Sequence, residues 1–144
     1  MERAARGFPS GAKRRRIAGW LSGWGPAIVW MVVIFAASSV SLPSFPSGVA
    51  DYHAHFAVYA VLGGLVAWGR AQGRLGSVTF PSTLVAVLIA TLYGVGDEVH
   101  QSFVPGRDPS LTDVVADSVG AITGTVAIWA CAIVGSMTTR RDRP

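Results

Sequence analysis

Residues 80–107 read FPSTLVAVLIATLYGVGDEVHQSFVPGR: no charged side chain from Phe80 to Gly96, then Asp97, Glu98, His100, Gln101 and Arg107 in quick succession. A helix needs about 17–25 mostly apolar residues to cross the hydrocarbon of a bilayer, and the run ending at Asp97 has that length. A carboxylate at the centre of such a helix costs about 2.5–3.5 kcal/mol on insertion scales, so the acidic pair belongs at one end of a crossing, where it still needs partners. Val104-Pro105-Gly106-Arg107 then carries the Pro-Gly signature of a type II turn, with glycine supplying positive φ. The approach through Ser102, Phe103 and Val104 is largely apolar, which lets the loop dip back toward the membrane and carry Arg107 to the carboxylates.

The same pattern recurs along the 144 residues. Apolar runs near 24–41, 52–69, 80–97 and 111–137 are each long enough to cross. Charged residues are only 14% of the chain, against about 25% in typical soluble domains, and they are gathered between the runs. Lipid offers no partner to backbone N–H and C=O, so runs this long are helices and not barrel strands of about ten residues. The expected fold is all-α, a polytopic bundle of four transmembrane helices over 24–137, flanked by basic tails at 1–23 and 138–144.

Orientation follows from the basic residues. Arg3, Arg6, Lys13, Arg14, Arg15 and Arg16 precede the first run, Arg70 and Arg74 lie between the second and third, and Arg140, Arg141 and Arg143 follow the fourth. By the positive-inside rule both termini are cytoplasmic, in a multi-pass membrane protein, and Arg107 is the only cation outside. Asp51, Asp97, Glu98, Asp108, Asp113 and Asp117 all fall on the outer side. Acids carry little topogenic weight, so their placement is independent information. The net charge of +4 therefore conceals a basic inner face and an acidic outer one. The implied partner is the bilayer, whose anionic lipids attract the basic segments, and not nucleic acid. Cys131, the only cysteine, excludes an intramolecular disulfide and a cysteine-based metal site.

Residues 1–19 lack an apolar period and are expected to form a flexible tail. The alternative is a signal peptide ending near Ala36-Ala37-Ser38, which would leave three spans with the same outer motifs. Leu42–Gly48 cannot extend a helix, because Pro43 and Pro46 lack donors and fix φ. Trp20, Trp24 and Trp68 near inner ends, with Tyr52 and Phe103 near outer ends, suit interfacial anchoring.

Helical spacing sorts the polar residues by face. Asp51, His55 and Tyr59 recur at intervals of four and line one side of the second run; Asp51 also suits an N-cap, whereas His55 lies too deep for one. Asp97 and Gln101 share a face in the third. Ser110 and Asp113 have the spacing of a capping box. Asp117 lies one turn deeper, beyond the orphan donors of the first turn, and on its stripe follow Gly120 and Gly124, a small-xxx-small pair that admits a close neighbour. At about 1.5 Å per residue from the inner ends, Asp97 and Asp117 both arrive roughly 25–30 Å up, at the outer hydrocarbon boundary.

The pair Ser38-Ser39, the opening Asp51-x-x-x-His55-Phe56, and Asp97-Glu98-x-x-Gln101-x-Phe103-x-Pro105-Gly106-Arg107 followed by Asp113 and Gly120 resemble the VanZ-like family of bacterial membrane proteins over residues 27–135. The resemblance implies a small multi-span protein of the cell envelope; the family's founding member is linked to low-level teicoplanin resistance. Two departures stand out. Tyr52 occupies a place where the family usually has Lys, and Asp117 one where it usually has Asn, so this chain is the more acidic.

These residues lead to an expected site for an outer-leaflet anionic lipid or cell-wall precursor. Arg107, with Gln101 and Tyr59, would hold the anion; Asp97, Glu98, Asp113 and Asp117 would hold a divalent cation such as Mg²⁺; Asp51 and His55, beside Asp97 and Glu98, would handle protons. Two alternatives differ in class. A proton-coupled transporter would need titratable groups across the midplane, where only Tyr93 stands. A non-catalytic scaffold would use the cluster as glue, although interhelical polar contacts in membranes average only about 0.6 kcal/mol.

Overall fold

Helix ends are set by local chemistry in the computed structural model, which describes residues 11–41 and 49–141. The elements are α1 (Gly11–Ser38), α2 (Val49–Arg70), α3 (Phe80–Gln101) and α4 (Leu111–Arg141), with a 3₁₀ turn at Leu75–Ser77 between α2 and α3. Thr79 caps α3 by accepting the Ser82 N–H, and Pro81 occupies the first turn, where its missing donor costs nothing. After α3 the chain tightens through Phe103 and Val104. It then closes a type II turn in which the Arg107 N–H donates to the Val104 carbonyl at 3.1 Å and Gly106 takes φ +81°.

Three of these helices are long and apolar enough to cross a membrane: α1 over Ile17–Ser38, α3 over Phe80–Gln101 and α4 over Leu111–Thr138. The expected all-α architecture is therefore present, and the chain has the helices of a membrane protein. Helix α2 has the length, but Asp51, His53 and His55 in its first two turns set it apart. Side chains such as Val29, Val32, Leu84, Leu88, Leu92, Val119 and Val126 face outward and give the bundle an apolar exterior.

Two local expectations are corrected. Helix α1 begins at Gly11, so the basic segment expected to be flexible to residue 19 is helical from 11 onward; Lys, Arg and Ala are good helix formers and no proline interrupts residues 11–25. Asp51 is not an N-cap, because α2 already begins at Val49 and places Asp51 inside the first turn. Residues 1–10, the Pro43 and Pro46 segment (42–48) and residues 142–144 lie outside the described residues.

The buried core runs along α2, where Tyr59, Leu62, Val66 and Ala67 meet Ala27 and Ile34 of α1, Ala86 and Ala90 of α3 and Ala121 of α4. Helix α2 contacts all three others, most extensively α4. Alanines and glycines dominate because in lipid, where burial from water drives nothing, helices associate through close van der Waals approach. At Gly120 and Gly124 the α4 backbone lies directly on Phe56 and Ala60 of α2, and a Cβ on Gly124 would collide with the Ala60 carbonyl. Two long-range bonds fasten α1: Trp30 Nε1 donates to the Val58 carbonyl at 3.0 Å, and the Tyr93 hydroxyl to the Met31 carbonyl at 2.6 Å.

Gly124→Leu is expected to destabilise the bundle by at least about 1–3 kcal/mol, read by unfolding in detergent micelles. Gly96→Leu is the control: a Cβ there meets nothing within 4 Å, and its effect should stay within about 0.5 kcal/mol.

Candidate functional site

The C-terminal ends of α1 and α3 and the N-terminal ends of α2 and α4 meet at one end of the bundle, and the acidic residues collect there. Asp97 and Glu98 are sequence neighbours about 100° apart around α3, so they serve different partners. Asp97 turns to α1: its Oδ2 accepts from Ser38 Oγ at 2.8 Å and from Gln101 Nε2 at 3.1 Å. Ser38 has one proton and shares it with the Ile34 carbonyl at 2.9 Å. Beside this contact, Ser39 Oγ lies 3.0 Å from His100 Nε2, and the His100 ring stacks on Phe35.

Glu98 turns the other way. Its Oε2 accepts the Ser110 N–H at 2.8 Å, just ahead of α4, while Oε1 has no hydrogen-bond partner and stands 4.0 Å from His55 Nδ1. This displaces the expected capping box. The Ser110 hydroxyl does accept the Thr112 N–H at 3.1 Å, but the Ser110 N–H is taken by Glu98 and not by Asp113.

His55 is the hub. Its Nδ1 bonds Asp117 Oδ1 at 3.0 Å, and its Nε2 faces the exposed Asp51 at 4.0 Å. Asp117 is fully buried, in space that Gly94 leaves open: a Cβ on Gly94 would stand 2.7 Å from Asp117 Oδ2. The buried Tyr59 ring lies nearly parallel to His55, one turn further in. Three buried atoms in this region lack hydrogen-bond partners: Tyr59 Oη, Glu98 Oε1 and Asp117 Oδ2. Groups this deeply buried are almost always bonded, to protein or to something else.

Arg107 does not reach the carboxylates. Its Nε donates to the Val40 carbonyl at 3.2 Å and its Nη2 to the Ala37 carbonyl at 3.1 Å, which satisfies carbonyls left open where α1 ends. Ser41 Oγ also donates to the Pro105 carbonyl, so the turn after α3 clasps the end of α1. Among the described residues every ion pair involves His55, and no Arg or Lys pairs with a buried carboxylate.

The expected four-carboxylate cation set is not assembled as such. Two groups of three converge, each with ligand atoms within 4.8 Å of one another: His55 with Glu98 and Asp117, and His55 with Asp51 and Asp113. Asp97 belongs to neither, being held by Ser38 and Gln101. On the α1 side of His55 lies a cavity of about 150 Å³, lined by the polar Ser38, Asp51, His55, Tyr59, Asp97, Gln101 and Arg107 together with the apolar Ile34, Ala37, Ala54 and Val58.

Sequence reasoning left three contributors without a role: Ser38 as the partner of Asp97, Gly94 as the space for Asp117, and the Ser110 N–H as the partner of Glu98. A glycine inside a helical run away from any turn was the available signal for Gly94, since it marks a close neighbour.

No curated protein and no solved structure matches the chain. A family model does, that of VanZ/LLP1, over residues 24–134, which reaches from the first apolar run into the last and takes in every polar residue of the cluster described above. The chain belongs to the VanZ/LLP1 family.

Proposed function

We propose that this protein crosses the bacterial cytoplasmic membrane four times with both termini inside, and that its polar pocket, at the outer leaflet, binds or processes an anionic lipid or cell-envelope precursor. Topology rests on the alternation of basic segments: those at the start of α1, between α2 and α3 and at the end of α4 share one side, and the acidic cluster takes the other. Helix α2 then crosses too, its polar first turns sheltered by α1, α3 and α4.

The observation that carries the ligand class is the cavity's construction. Polar side chains of Ser38, Asp51, His55, Asp97, Gln101 and Arg107 share its wall with the apolar Ile34, Ala37, Ala54 and Val58, as an amphipathic molecule requires. At about 150 Å³ it takes a headgroup and the first carbons of a chain, not a whole lipid. Gln101 and the guanidinium N–H groups of Arg107 that α1 does not use are the donors for a phosphate or carboxylate, and a hydrogen-bonded guanidinium is a stiff one. For processing, His55 is the proton carrier, because Asp97 and Glu98 are committed to Ser38, Gln101 and Ser110 while the imidazole lies between carboxylates and lines the cavity. A role in glycopeptide resistance is the cellular reading that family membership supports.

A second reading, a non-catalytic interaction protein, draws on the number of these groups spent on joining helix ends: Ser38 with Asp97, Arg107 with α1, Glu98 with α4. The two separate experimentally. If a His55→Ala, Asp97→Asn, Arg107→Ala triple variant folds and keeps the cellular phenotype, the scaffold reading wins.

For topology, Cys131→Ala serves as background for single cysteines at Arg74 and Asp108. A membrane-impermeant maleimide should label Asp108→Cys in intact cells, and Arg74→Cys only after permeabilisation; the reverse pattern would invert the pocket. For the ligand, native mass spectrometry of the purified chain should reveal a co-purifying phosphate-containing lipid. Occupancy should fall at least about tenfold in Gln101→Ala/Arg107→Ala, the loss expected of charge-assisted contacts worth about 1.5–3 kcal/mol. Lipid retention unchanged in that variant and in His55→Ala would refute a site here.

A further inference from the structure

We infer that His55 Nδ1, Glu98 Oε1 and an Asp117 carboxylate oxygen form a binding site for one divalent transition-metal cation, of the Mn²⁺ or Zn²⁺ class. The site is distinct from the all-carboxylate Mg²⁺ set expected from sequence, and it does not depend on the lipid reading.

Geometry comes first. Two ligands each about 2.1 Å from a cation stand about 3.0 Å apart when they subtend a right angle and about 4.2 Å apart when opposed. His55 Nδ1 lies 3.0 Å from Asp117 Oδ1 and 4.0 Å from Glu98 Oε1, and the ligand atoms of all three residues fall within 4.8 Å of one another, close to the span of a single coordination sphere. Two of the three ligands also have a group behind them, as metal ligands characteristically do. The second oxygen of Glu98 is fixed by the Ser110 N–H, and the remote nitrogen of His55 faces Asp51.

Charge and unsatisfied valence point the same way. Two buried carboxylates with a neutral imidazole carry two negative charges, and a divalent cation makes the trio neutral, the form a low-dielectric interior tolerates. The nearest fixed cation, Arg107, is bound to the Ala37 and Val40 carbonyls. Glu98 Oε1 and Asp117 Oδ2, on residues respectively 5% and 0% exposed, have no hydrogen-bond partner, and Oε1 faces His55 Nδ1. Hydrogen bonds within the cluster therefore leave ligand capacity unused. The Tyr59 hydroxyl, also unpartnered and buried one turn further in, suits a water on the metal. An imidazole among carboxylates favours a borderline cation such as Mn²⁺ or Zn²⁺, whereas Mg²⁺ and Ca²⁺ prefer oxygen alone.

The test uses the full chain in detergent, stripped with chelator and titrated with Mn²⁺ followed by electron paramagnetic resonance, with Zn²⁺ as competitor. Binding should saturate at a single equivalent per chain, and pulsed spectra of bound Mn²⁺ should carry nitrogen hyperfine coupling from one imidazole. His55→Gln and Asp117→Asn should each weaken binding at least about tenfold, while Asp108→Asn, exposed in the loop before α4, binds like the parent chain. Absence of saturable Mn²⁺ or Zn²⁺ binding would overturn the site. So would bound Mn²⁺ without nitrogen coupling in the unsubstituted chain, a readout that does not depend on any variant folding. Loss of metal in Asp97→Asn but not in His55→Gln would instead place the cation on the α1 side and refute the assignment.

Discussion

The backbone of α4 rests on the backbone of α2, and the polar end of the molecule depends on that contact. In a regular up-and-down bundle the second and fourth helices run parallel and sit on a diagonal, separated by side chains. Here Gly120 and Gly124 remove the side chains, so Phe56 faces Gly120 and Ala60 faces Gly124 in a parallel register. Toward the polar end of the bundle, the same register sets His55 against Asp117. With α2 and α4 touching, α1 and α3 are pushed to opposite flanks and meet chiefly at their C-terminal ends, through Ser38 with Asp97 and Ser39 with His100. Steric deletion at two glycines thus decides which charged groups face one another.

Given that layout, the acids divide by task. Asp97 and Glu98 each spend one oxygen on a neighbouring helix, Asp97 on the end of α1 and Glu98 on the start of α4. Arg107 does the complementary work, donating to the Ala37 carbonyl in the last turn of α1 and to the Val40 carbonyl just past its end. Helix ends near lipid carry the same cost as any unsatisfied backbone, so these bonds are structural before they are anything else. What they leave over is a compact set on the far side of α3, namely His55, Asp117, the free oxygen of Glu98 and the Tyr59 hydroxyl.

The helices were legible because a long apolar run has few solutions in lipid, and the starts of α3 at Phe80 and α4 at Leu111 coincide with the starts of their runs. The stripe carrying Asp117, Gly120 and Gly124 was legible for the same reason, since period and small residues together name a packed face. Partner choice was not. The Ser110 to Asp113 spacing satisfies a local rule, yet Glu98, twelve positions away in sequence, holds the N–H that the rule assigns to Asp113. Arg107 looked like the counter-ion of the acids because it is the only outer cation, but the turn that positions it ends over α1, whose open carbonyls are nearer. Both cases are competitions between a local or electrostatic preference and a tertiary contact, and only the register of α2 on α4 and the seating of α1 resolve them.

That resolution changes how an acidic pocket can accept an anion. An arginine free to swing toward a phosphate would bring its own charge and leave the carboxylates to be neutralised separately. Arg107 is instead pinned at the rim, so its contribution is directional rather than mobile, and the interior negative charge must be offset where it lies. His55 is the one described residue with a carboxylate on each side and a wall of the cavity in front of it. Whatever charge settles on the inner trio is therefore felt first by His55, and through it by any group held at the rim. The α2 to α4 contact that places His55 against Asp117 is, by the same geometry, what couples the buried acids to the open pocket.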